Sequence, residues 1–385
     1  MKRIILFVSI AILLLGGIFC VRANKLPFAP HTTLNQIREA QRNPDVEAVL
    51  ESMTLEQKVG QMFMGCFYNE TPSADTVNQY NLGSVLLFSA SFKNTDRKEL
   101  STALHNLNEK CTITPMLAVD EEGGSVCRVS REPAFRKTPF ASPRSLFAQG
   151  GMEAVIADTH EKNALLKDLG INLNLAPVCD ISQDPADFMY DRSLGQDAET
   201  TSDYAVKTVE ACLADNIGCS LKHFPGYGNA ADTHKGLAVD NRSLEQLENN
   251  DFLPFEAGIN AGAPSVLVSH NIVSALDNDL PASLSPAVHR ILREKMNFDG
   301  VIITDDLSMG AIADYCPDVD SAVTAVIAGN DMLCTGDFKT QYDALIVALD
   351  KGIISEDRID MSVRKIIKWK IDLGLIDAGD FKEAQ

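Results

Sequence analysis

Residues 218–228 have the sequence GCSLKHFPGYG, in which a short apolar run ends on two polar side chains. The run 218–222 is typical of a buried strand, and Lys222 and His223 come at its end. The proline and glycines that follow favour a turn and permit backbone conformations that other residues resist. The stretch therefore predicts a strand that delivers a lysine and a histidine to the start of a loop.

Similar short apolar runs recur along the chain and alternate with amphipathic segments of helical period. The predicted strands are 60–65, 83–88, 115–119, 171–177, 218–222, 265–269, 300–304 and 331–333. The predicted helices are 55–59, 100–104, 154–169, 204–214, 244–261, 286–296, 321–328 and 342–349. Alternation of this kind is typical of a parallel α/β fold.

The number of strands decides between the two large parallel architectures. The 385 residues suffice for two average domains or for one large barrel. About eight strands fall in one domain, and no GxGxxG follows the first of them, so a doubly wound dinucleotide-binding sheet is not favoured. We therefore predict an α/β fold, a (β/α)8 TIM-type barrel that forms a single catalytic domain.

Polar residues fall at the same phase of this pattern, at or just after the end of an apolar strand. They are Asp120, Asp180, Lys222, His223, His270 and Asp305. Any one of them could be a helix cap. In a parallel barrel, however, the carboxyl ends of all strands share one face, and active sites are built on that face. Six polar residues in phase therefore predict an active site.

The N-terminus predicts export. Residues 1–3 are basic at two of three positions, 4–21 are almost wholly apolar, and 21–23 end in alanine. This pattern is typical of a secretory signal peptide, although about 18 apolar residues can also just span a bilayer. The predicted organisation is a signal peptide or membrane anchor at 1–23, a linker at 24–45, the barrel at 46–376 and a polar tail at 377–385. We expect a secreted or membrane-anchored protein that acts outside the cytoplasm.

Charge and cysteine usage exclude several function classes. With 34 basic and 53 acidic residues the net charge is −19, which disfavours nucleic acid as a partner because both carry negative charge. No HxH, HExxH or CxxC spacing occurs, so no metal or redox site is predicted. Most of the nine cysteines lie in apolar runs, where a small buried thiol is expected, and their pairing stays open.

The strand 300–304 is followed by two adjacent carboxylates, Asp305 and Asp306. We expect one to enter the barrel mouth and the other to cap a helix or bind backbone amides. Glycoside hydrolysis needs one carboxylate to trap the oxocarbenium-like centre and one acid to protonate the leaving oxygen. Asp305 fits the first role. His234, with a reference pKa of about 6.5 and Asp232 to orient its ring, fits the second.

Two motifs in residues 222–234 resemble the sequence signature of a known family. Lys222 to Gly228, KHFPGYG, followed by DTH at 232–234, resembles the KHFPGHG…D-[ST]-H signature of glycoside hydrolase family 3 β-N-acetylhexosaminidases. The resemblance is to the stand-alone, single-barrel, peptidoglycan-recycling β-N-acetylglucosaminidase type. Further matching motifs, in order, are 53–58, 119–124, 174–178, 298–301, 304–309 and 328–333.

The resemblance implies a retaining exo-β-N-acetylglucosaminidase that removes terminal GlcNAc from peptidoglycan fragments or chitooligosaccharides. It implies that Asp305 is the nucleophile, through a covalent glycosyl-aspartate, and that His234 is the acid/base with Asp232 as its partner. The implied sugar-binding residues are Asp120, Arg128, Arg192, Lys222 and His223. No cofactor is implied, and we expect a monomer whose partner is its glycan substrate.

Departures from the family pattern leave alternatives open. Tyr227 stands where the family often has histidine, and Ser125 replaces a common arginine, while Arg128 keeps its place. The secretory N-terminus departs from the cytoplasmic members and favours a substrate outside the membrane. The alternatives within the family are a β-glucosidase and a β-N-acetylglucosaminide phosphorylase, since a histidine acid/base does not repel phosphate. A non-catalytic wall-binding barrel is the alternative from another class.

Overall fold

Eight parallel strands alternate with helices in the computed structural model, which describes residues 43–69, 71–228, 238–315 and 320–379. Within these ranges the strands are β1 Phe63–Phe67, β2 Ser84–Leu87, β3 Met116–Val119, β4 Leu173–Asn174, β5 Gly218–Phe224, β6 Val239–Asp240, β7 Ser265–Val268, β8 Ile272–Val273, β9 Val301–Thr304 and β10 Leu333–Thr335. The main sheet has the order β10-β1-β2-β3-β4-β5-β7-β9. A parallel bridge between Ile303 and Met332 joins its two edges, so the sheet closes into the predicted barrel.

The barrel strands are buried along their whole length. Every residue of β1, β2, β3, β7 and β9 is buried, because the barrel interior covers one face and the helices cover the other. This is why the strands appear in the sequence as continuous apolar runs and not as an alternation of apolar and polar residues. β6 and β8 form a separate two-stranded parallel sheet beside the barrel, which the sequence did not predict because each strand has two residues.

The helices surround the barrel. They are α1 Pro44–Ser52, α2 Leu55–Gln61, α3 Ala74–Tyr80, α4 Arg97–Lys110, α5 Pro143–Leu169, α6 Ala198–Asp215, α7 Leu244–Gln246, α8 Phe252–Asn260, α9 Pro286–Arg290, α10 Gly310–Tyr315, α11 Ser321–Ala328, α12 Phe338–Asp350 and α13 Glu356–Asp372. Wider π-type turns at Leu247–Asp251 and Ile291–Lys295 lead into α8 and continue α9. α5 is kinked at Gly150 and Gly151, whose backbone angles are not helical.

Side-chain caps fix several helix starts. At α2 the Thr54 hydroxyl accepts the backbone N–H of Gln57, and the Gln57 side chain accepts the N–H of Thr54. The carboxylate of Asp197 accepts the N–H of Thr200 at the start of α6. Such caps satisfy backbone donors that a helix leaves free in its first turn.

Several boundaries differ from the predictions. α12 begins at Phe338, four residues before the predicted start, because its first turn is mostly polar. β10 begins at Leu333 and not at Asp331, because the carbonyl of Ile302 accepts both the Asp331 and the Met332 N–H, so regular pairing starts afterwards. β4 covers only Leu173–Asn174 of the predicted strand 171–177.

The described part of the chain begins with a helix. Asn43 caps α1 by accepting the N–H of Asp45, and α1 packs against α13, where Arg364 binds Glu47. α1 therefore includes residues 44 and 45, which the sequence assigned to the linker. In residues 43–379, apart from the short undescribed gaps, no helix is both long and apolar enough to cross a membrane.

Most of the described cysteines are buried, as predicted. The buried cysteines are Cys66, Cys127, Cys179, Cys212, Cys219 and Cys334, and Cys111 is half-buried. Each of these seven described cysteines is a free thiol. The Sγ atoms of Cys66 and Cys334 are 3.4 Å apart, on neighbouring strands.

Candidate active site

Polar side chains from β3 and β5 meet at the carboxyl end of the barrel. Asp120 directly follows β3, and Lys222 lies near the end of β5. The Nζ of Lys222 donates to Asp120 Oδ1 at 2.5 Å and lies 2.7 Å from Glu122 Oε1. Lys222 is buried, whereas the Asp120 side chain is 17 % exposed, so the aspartate is the member of this pair that solvent can reach. Two residues predicted to bind sugar are therefore in direct contact.

Glu122 is the centre of this cluster. Arg192 binds its carboxylate with two hydrogen bonds, Nε to Oε2 at 2.9 Å and Nη2 to Oε1 at 2.6 Å. Burial alone would raise the pKa of Glu122, but the charges of Arg192 and Lys222 hold that pKa well below its usual range. Glu122 is therefore an anion that fixes both cations. The sequence analysis did not assign it a role, although it lies two residues after Asp120 in the same loop.

His223 is held in one orientation by Asp180. Oδ2 of Asp180 accepts the backbone N–H of His223 at 3.1 Å and lies 2.8 Å from its Nδ1. The Nη2 of Arg192 lies 3.2 Å from Nε2 of the same ring. Because a guanidinium only donates, Nε2 accepts and Nδ1 carries the proton. The peptide bond between Lys222 and His223 is cis. The sequence analysis recognised both Asp180 and His223 as strand-end residues but did not predict that they bind each other.

Arg128 lies on a loop that Glu121 closes. The buried Glu121 carboxylate accepts the backbone N–H groups of Arg128, Val129 and Ser130 at 2.8 to 3.1 Å. The Arg128 guanidinium lies 5.6 Å from the centre of the Phe88 ring. Its Nε is buried without a hydrogen-bond partner among the described residues, while the side chain as a whole is half-buried.

The two adjacent carboxylates after β9 have different partners. The backbone N–H of Asp305 donates to Val268 O at 2.8 Å, and its Oδ1 accepts the N–H of Asp306 at 2.9 Å. Asp306 accepts the N–H of Ser308 at 2.9 Å and the hydroxyl of Tyr68. Both carboxylates thus accept a backbone amide, a role that the sequence analysis predicted for only one of them. Both side chains are half-buried at the carboxyl end of β9.

His270 fixes the backbone beside these carboxylates. It is fully buried after β7, with Nε2 2.9 Å from the carbonyl oxygen of Asp306 and Nδ1 2.7 Å from the Ser283 hydroxyl. Since a carbonyl only accepts, Nε2 carries the proton and Nδ1 accepts from Ser283. The sequence identified His270 as a strand-end residue but gave it no role.

Asp232 and His234, the predicted acid/base pair, lie outside the described residues, between Gly228 and Ala238. The five predicted sugar-binding residues are described: Asp120, Lys222, Arg192 and His223 are joined through Glu122, and Arg128 lies on the loop closed by Glu121. In the part of the chain that the structure describes, no three His, Cys, Asp or Glu side chains are grouped to hold a metal ion.

Comparisons with known proteins agree on one family. The sequence profile described as the glycosyl hydrolase family 3 N-terminal domain matches residues 54–369. A curated β-hexosaminidase A from Pseudoalteromonas piscicida is 29 % identical over 331 residues, which cover 78 % of this chain and 55 % of the relative. A curated β-hexosaminidase from Methylococcus capsulatus is 31 % identical over 276 residues, 71 % of this chain and 81 % of that protein.

A solved structure has the same fold at similar identity. It is a glycoside hydrolase family 3 β-N-acetylglucosaminidase from a Paenibacillus species, with a TM-score of 0.78 and 30 % sequence identity. The match covers 84 % of this chain and 63 % of that one. The chain thus spans about half the length of the Pseudoalteromonas relative and less than two thirds of the Paenibacillus chain.

Proposed function

The chain belongs to glycosyl hydrolase family 3, and from this premise we propose that it is a retaining exo-β-N-acetylglucosaminidase. The observation that supports this most is the cluster of Asp120, Lys222 and Arg192 around Glu122, at the barrel end where Asp305 follows β9. The β-hexosaminidase and β-N-acetylglucosaminidase names of the similar proteins support the substrate class.

The Glu122 cluster suits a sugar ring because its charges are fixed before the substrate arrives. A sugar offers hydroxyl groups that both donate and accept. Asp120 provides an accessible acceptor, and the half-buried Arg128 guanidinium provides N–H donors. Preorganised polar groups need little rearrangement when the substrate binds, so more of their interaction energy is available to orient it.

The reaction would proceed in two displacements. Asp305 attacks the anomeric carbon while His234 gives its proton to the leaving glycosidic oxygen, which forms a covalent glycosyl-aspartate. His234, now neutral, then takes a proton from water, and that water displaces Asp305 with overall retention of configuration. Asp232 orients the His234 ring and balances its charge. These roles come from the family resemblance of residues 222–234 and 304–309.

The proposed substrates are GlcNAc-terminated peptidoglycan fragments or chitooligosaccharides. The secretory pattern at 1–23 supports a location outside the cytoplasm, either secreted or membrane-anchored. Action on glycans outside the membrane follows from that location.

A substrate panel tests the proposal. The panel contains aryl β-GlcNAc, aryl β-glucoside, chitobiose and a GlcNAc-anhydroMurNAc peptide, each assayed in phosphate and in a buffer without phosphate. We expect hydrolysis of the GlcNAc substrates, with the β-anomer released first. Faster turnover of the glucoside would favour the β-glucosidase alternative, and sugar-1-phosphate formed only in phosphate would favour the phosphorylase. Glycan binding without turnover would favour a non-catalytic barrel.

A further inference from the structure

An exposed aromatic side chain lies beside the proposed nucleophile. Tyr68 directly follows β1, and its hydroxyl donates to Oδ2 of Asp306, the residue after Asp305. Among the phenylalanine, tyrosine and tryptophan side chains that the structure describes, Tyr68 is the most exposed, at 38 %. The ring therefore lies at the carboxyl end of the barrel, where substrates of this fold bind, with part of its surface open to solvent.

A second aromatic ring extends this surface along the barrel mouth. Phe88 directly follows β2, the strand next to β1. The centres of the Tyr68 and Phe88 rings are 4.6 Å apart, and their planes are tilted by 57°. The Arg128 guanidinium lies 5.6 Å from the centre of the Phe88 ring. The two rings, called the aromatic wall below, thus connect Asp306 with Arg128, one of the predicted sugar-binding residues.

The aromatic wall is held in one orientation by its neighbours. The Tyr68 hydroxyl is bound to Asp306, and a Cβ at Gly336, directly after β10, would overlap the edge of the Tyr68 ring. Burial and the nearby Asp306 carboxylate raise the pKa of Tyr68 above its usual value, so the hydroxyl stays protonated and donates. Phe88 packs against the hydrophobic core. Rings fixed in this way lose little conformational entropy when a ligand covers them.

The aromatic wall and the Glu122 cluster lie on opposite sides of the barrel mouth. Three strands separate β1 from β5 in either direction around the closed sheet, so Tyr68 and Lys222 stand across the mouth from each other. The cluster is also deeper, since the side chains of Glu122 and Lys222 are 1 % and 3 % exposed, whereas Tyr68 is open to solvent. In the proposed function, a terminal sugar held by the cluster places its glycosidic bond at Asp305. The next ring of the substrate then lies farther out, towards the aromatic wall.

The chemistry of the aromatic wall fits the flat face of a sugar ring. A β-linked pyranose carries its hydroxyl groups around its edge and presents C–H bonds on its faces. Such a face packs against an aromatic ring, because the negative π-surface attracts the slightly positive hydrogens. The hydroxyl groups at the edge of the sugar then meet the polar groups at the two ends of the wall, the Asp306 carboxylate and the Arg128 guanidinium.

We propose that Tyr68 and Phe88 bind the second sugar ring of the substrate, the one that leaves when the glycosidic bond is cleaved. The inference rests on the proposed function and deepens it, because it assigns the leaving group as a hexopyranose and not a small alcohol. Chitooligosaccharides and peptidoglycan fragments both offer such a ring. In this role the two aromatic residues determine specificity and take no part in proton transfer or in the attack by Asp305.

Tyr68→Ala tests the inference by comparing leaving groups. Chitobiose and GlcNAc-anhydroMurNAc peptide release a sugar ring, whereas methyl β-GlcNAc releases methanol. We expect kcat/KM to fall about 5- to 10-fold more for a disaccharide substrate than for methyl β-GlcNAc, which is the size of one aromatic contact. A loss on both disaccharide substrates assigns the wall to either source, and a loss on one of them assigns that source. Equal losses on all three substrates would overturn the inference.

Two variants serve as controls. Tyr68→Phe keeps the ring but removes the hydrogen bond to Asp306, so the ratio of disaccharide to methyl kcat/KM should stay within about twofold of wild type. A change of this ratio as large as in Tyr68→Ala would mean that Tyr68 acts through Asp306 and not by stacking. Tyr342→Ala removes a half-buried ring that packs on Phe63, at the amino end of β1. It should lower the melting temperature and leave the ratio unchanged.

A binding measurement does not depend on turnover. Calorimetry of Asp305→Asn with GlcNAc and with chitobiose gives the affinity that the second ring adds. Adding Tyr68→Ala should reduce this gain about 5- to 10-fold. If wild type cleaves glucosides and no GlcNAc substrate, the proposed function fails, and glucose and cellobiose replace the two ligands in the same comparison. A second ring that adds no affinity in Asp305→Asn, or an undiminished gain in the double variant, would overturn the role of the aromatic wall itself.

Discussion

Glu122 shows how a residue that solvent cannot reach shapes the candidate sugar site. Its carboxylate is shared by Arg192 and Lys222, and Lys222 in turn binds Asp120. Without that anion, two buried cations would face each other with one half-buried aspartate to balance them. Removal of one member of such a group leaves an uncompensated buried charge, which typically costs about 3–5 kcal/mol.

The first prediction is that Glu122→Gln weakens substrate binding more than it lowers the turnover rate of bound substrate. The amide keeps the shape but cannot accept hydrogen bonds from both cations. We expect KM for aryl β-GlcNAc to rise at least about tenfold, with a smaller change in kcat, because in the proposed function the cluster binds the sugar equally in the ground and transition states. Steady-state kinetics measure both values, and Glu109→Gln, an exposed exchange, is the control. An unchanged KM would remove the cluster from substrate binding.

The second prediction concerns His270, which donates to the carbonyl of Asp306 directly after the proposed nucleophile. His270→Phe removes that donor while keeping an apolar ring of similar size. We expect kcat/KM to fall by about 1–2 orders of magnitude, equally for activated and poor leaving groups, because attack by Asp305 is needed for both. Ser283→Ala, which removes only the partner of Nδ1, should cost less. A loss confined to poor leaving groups would assign His270 to proton transfer instead.

At the scale of elements, most strands and helices were predictable from the sequence, but many of their exact ends were not. α11 has the predicted ends, Ser321–Ala328, because its apolar period runs the full length. α12 starts earlier than its apolar pattern, and β10 starts later because Ile302 accepts two N–H groups. The two-residue strands β6 and β8 are too short to leave a periodic signal. Their pairing depends on residues 33 positions apart, which the local sequence does not encode.

The residues of the candidate site were also predictable only in part. Asp120, Lys222 and Asp305 were predictable because each ends an apolar strand in phase with the others. Glu122 and Asp180 gained no role from the sequence, because their partners come from other strands and loops. Arg192, for example, contacts Glu122 across 70 positions of the chain. Pairings of this kind become visible only when the barrel brings the strand ends together.

The third prediction concerns the buried lysine of α13. Lys370 donates to Gln61 Oε1 at 2.6 Å and to Thr114 O at 2.8 Å, and burial lowers its pKa to about 7. In the unfolded chain its pKa is about 10.4. Between these values the unfolded state binds more protons, so this group makes the free energy of unfolding rise as pH increases from about 7. Below about pH 7 its effect is constant.

Lys370→Met isolates this contribution. Urea unfolding of both proteins at pH 7, 8 and 9 gives the difference in their free energies of unfolding. We expect the free energy of unfolding of wild type to increase relative to that of the variant by up to about 1.4 kcal/mol per pH unit. Methionine leaves Gln61 and Thr114 without their donor at every pH, which shifts the difference but not its slope. A difference that does not change with pH would mean that Lys370 stays charged when buried.

At the scale of the whole molecule, the candidate site and some of the buried charged residues that support the fold lie at opposite ends of the barrel. The residues assigned to the site lie at or beyond the carboxyl ends of the strands, whereas Lys370 packs against the segment before β3 and Asp331 precedes β10. This division follows the general organisation of parallel barrels. It lets the loops after the strands vary without disturbing the opposite end.

The fourth prediction is that residues 1–42 contribute to location and not to catalysis. The chain from Asn43 onward is a compact unit that contains every described site residue. A protein lacking residues 1–42 should keep its kcat/KM within about twofold and its melting temperature. A protein lacking residues 1–53 should have a melting temperature well below that of the protein lacking residues 1–42. The reason is that α1 buries Val46, Val49 and Leu50, and burial of each such side chain stabilises the folded state by about 1.5–3 kcal/mol. Equal melting temperatures would show that α1 is dispensable.

The central claim is that Asp305 forms a covalent bond to the sugar. The most direct measurement is peptide mapping by mass spectrometry of His234→Ala, quenched with acid during turnover of an activated aryl β-GlcNAc. Without its acid/base the variant should form the glycosyl-enzyme and release it slowly, so the intermediate accumulates. We predict one N-acetylhexosaminyl adduct on the peptide that contains Asp305, and none in His234→Ala with Asp305→Asn. An adduct on Asp306 or on another residue, or turnover without any adduct, would contradict the account.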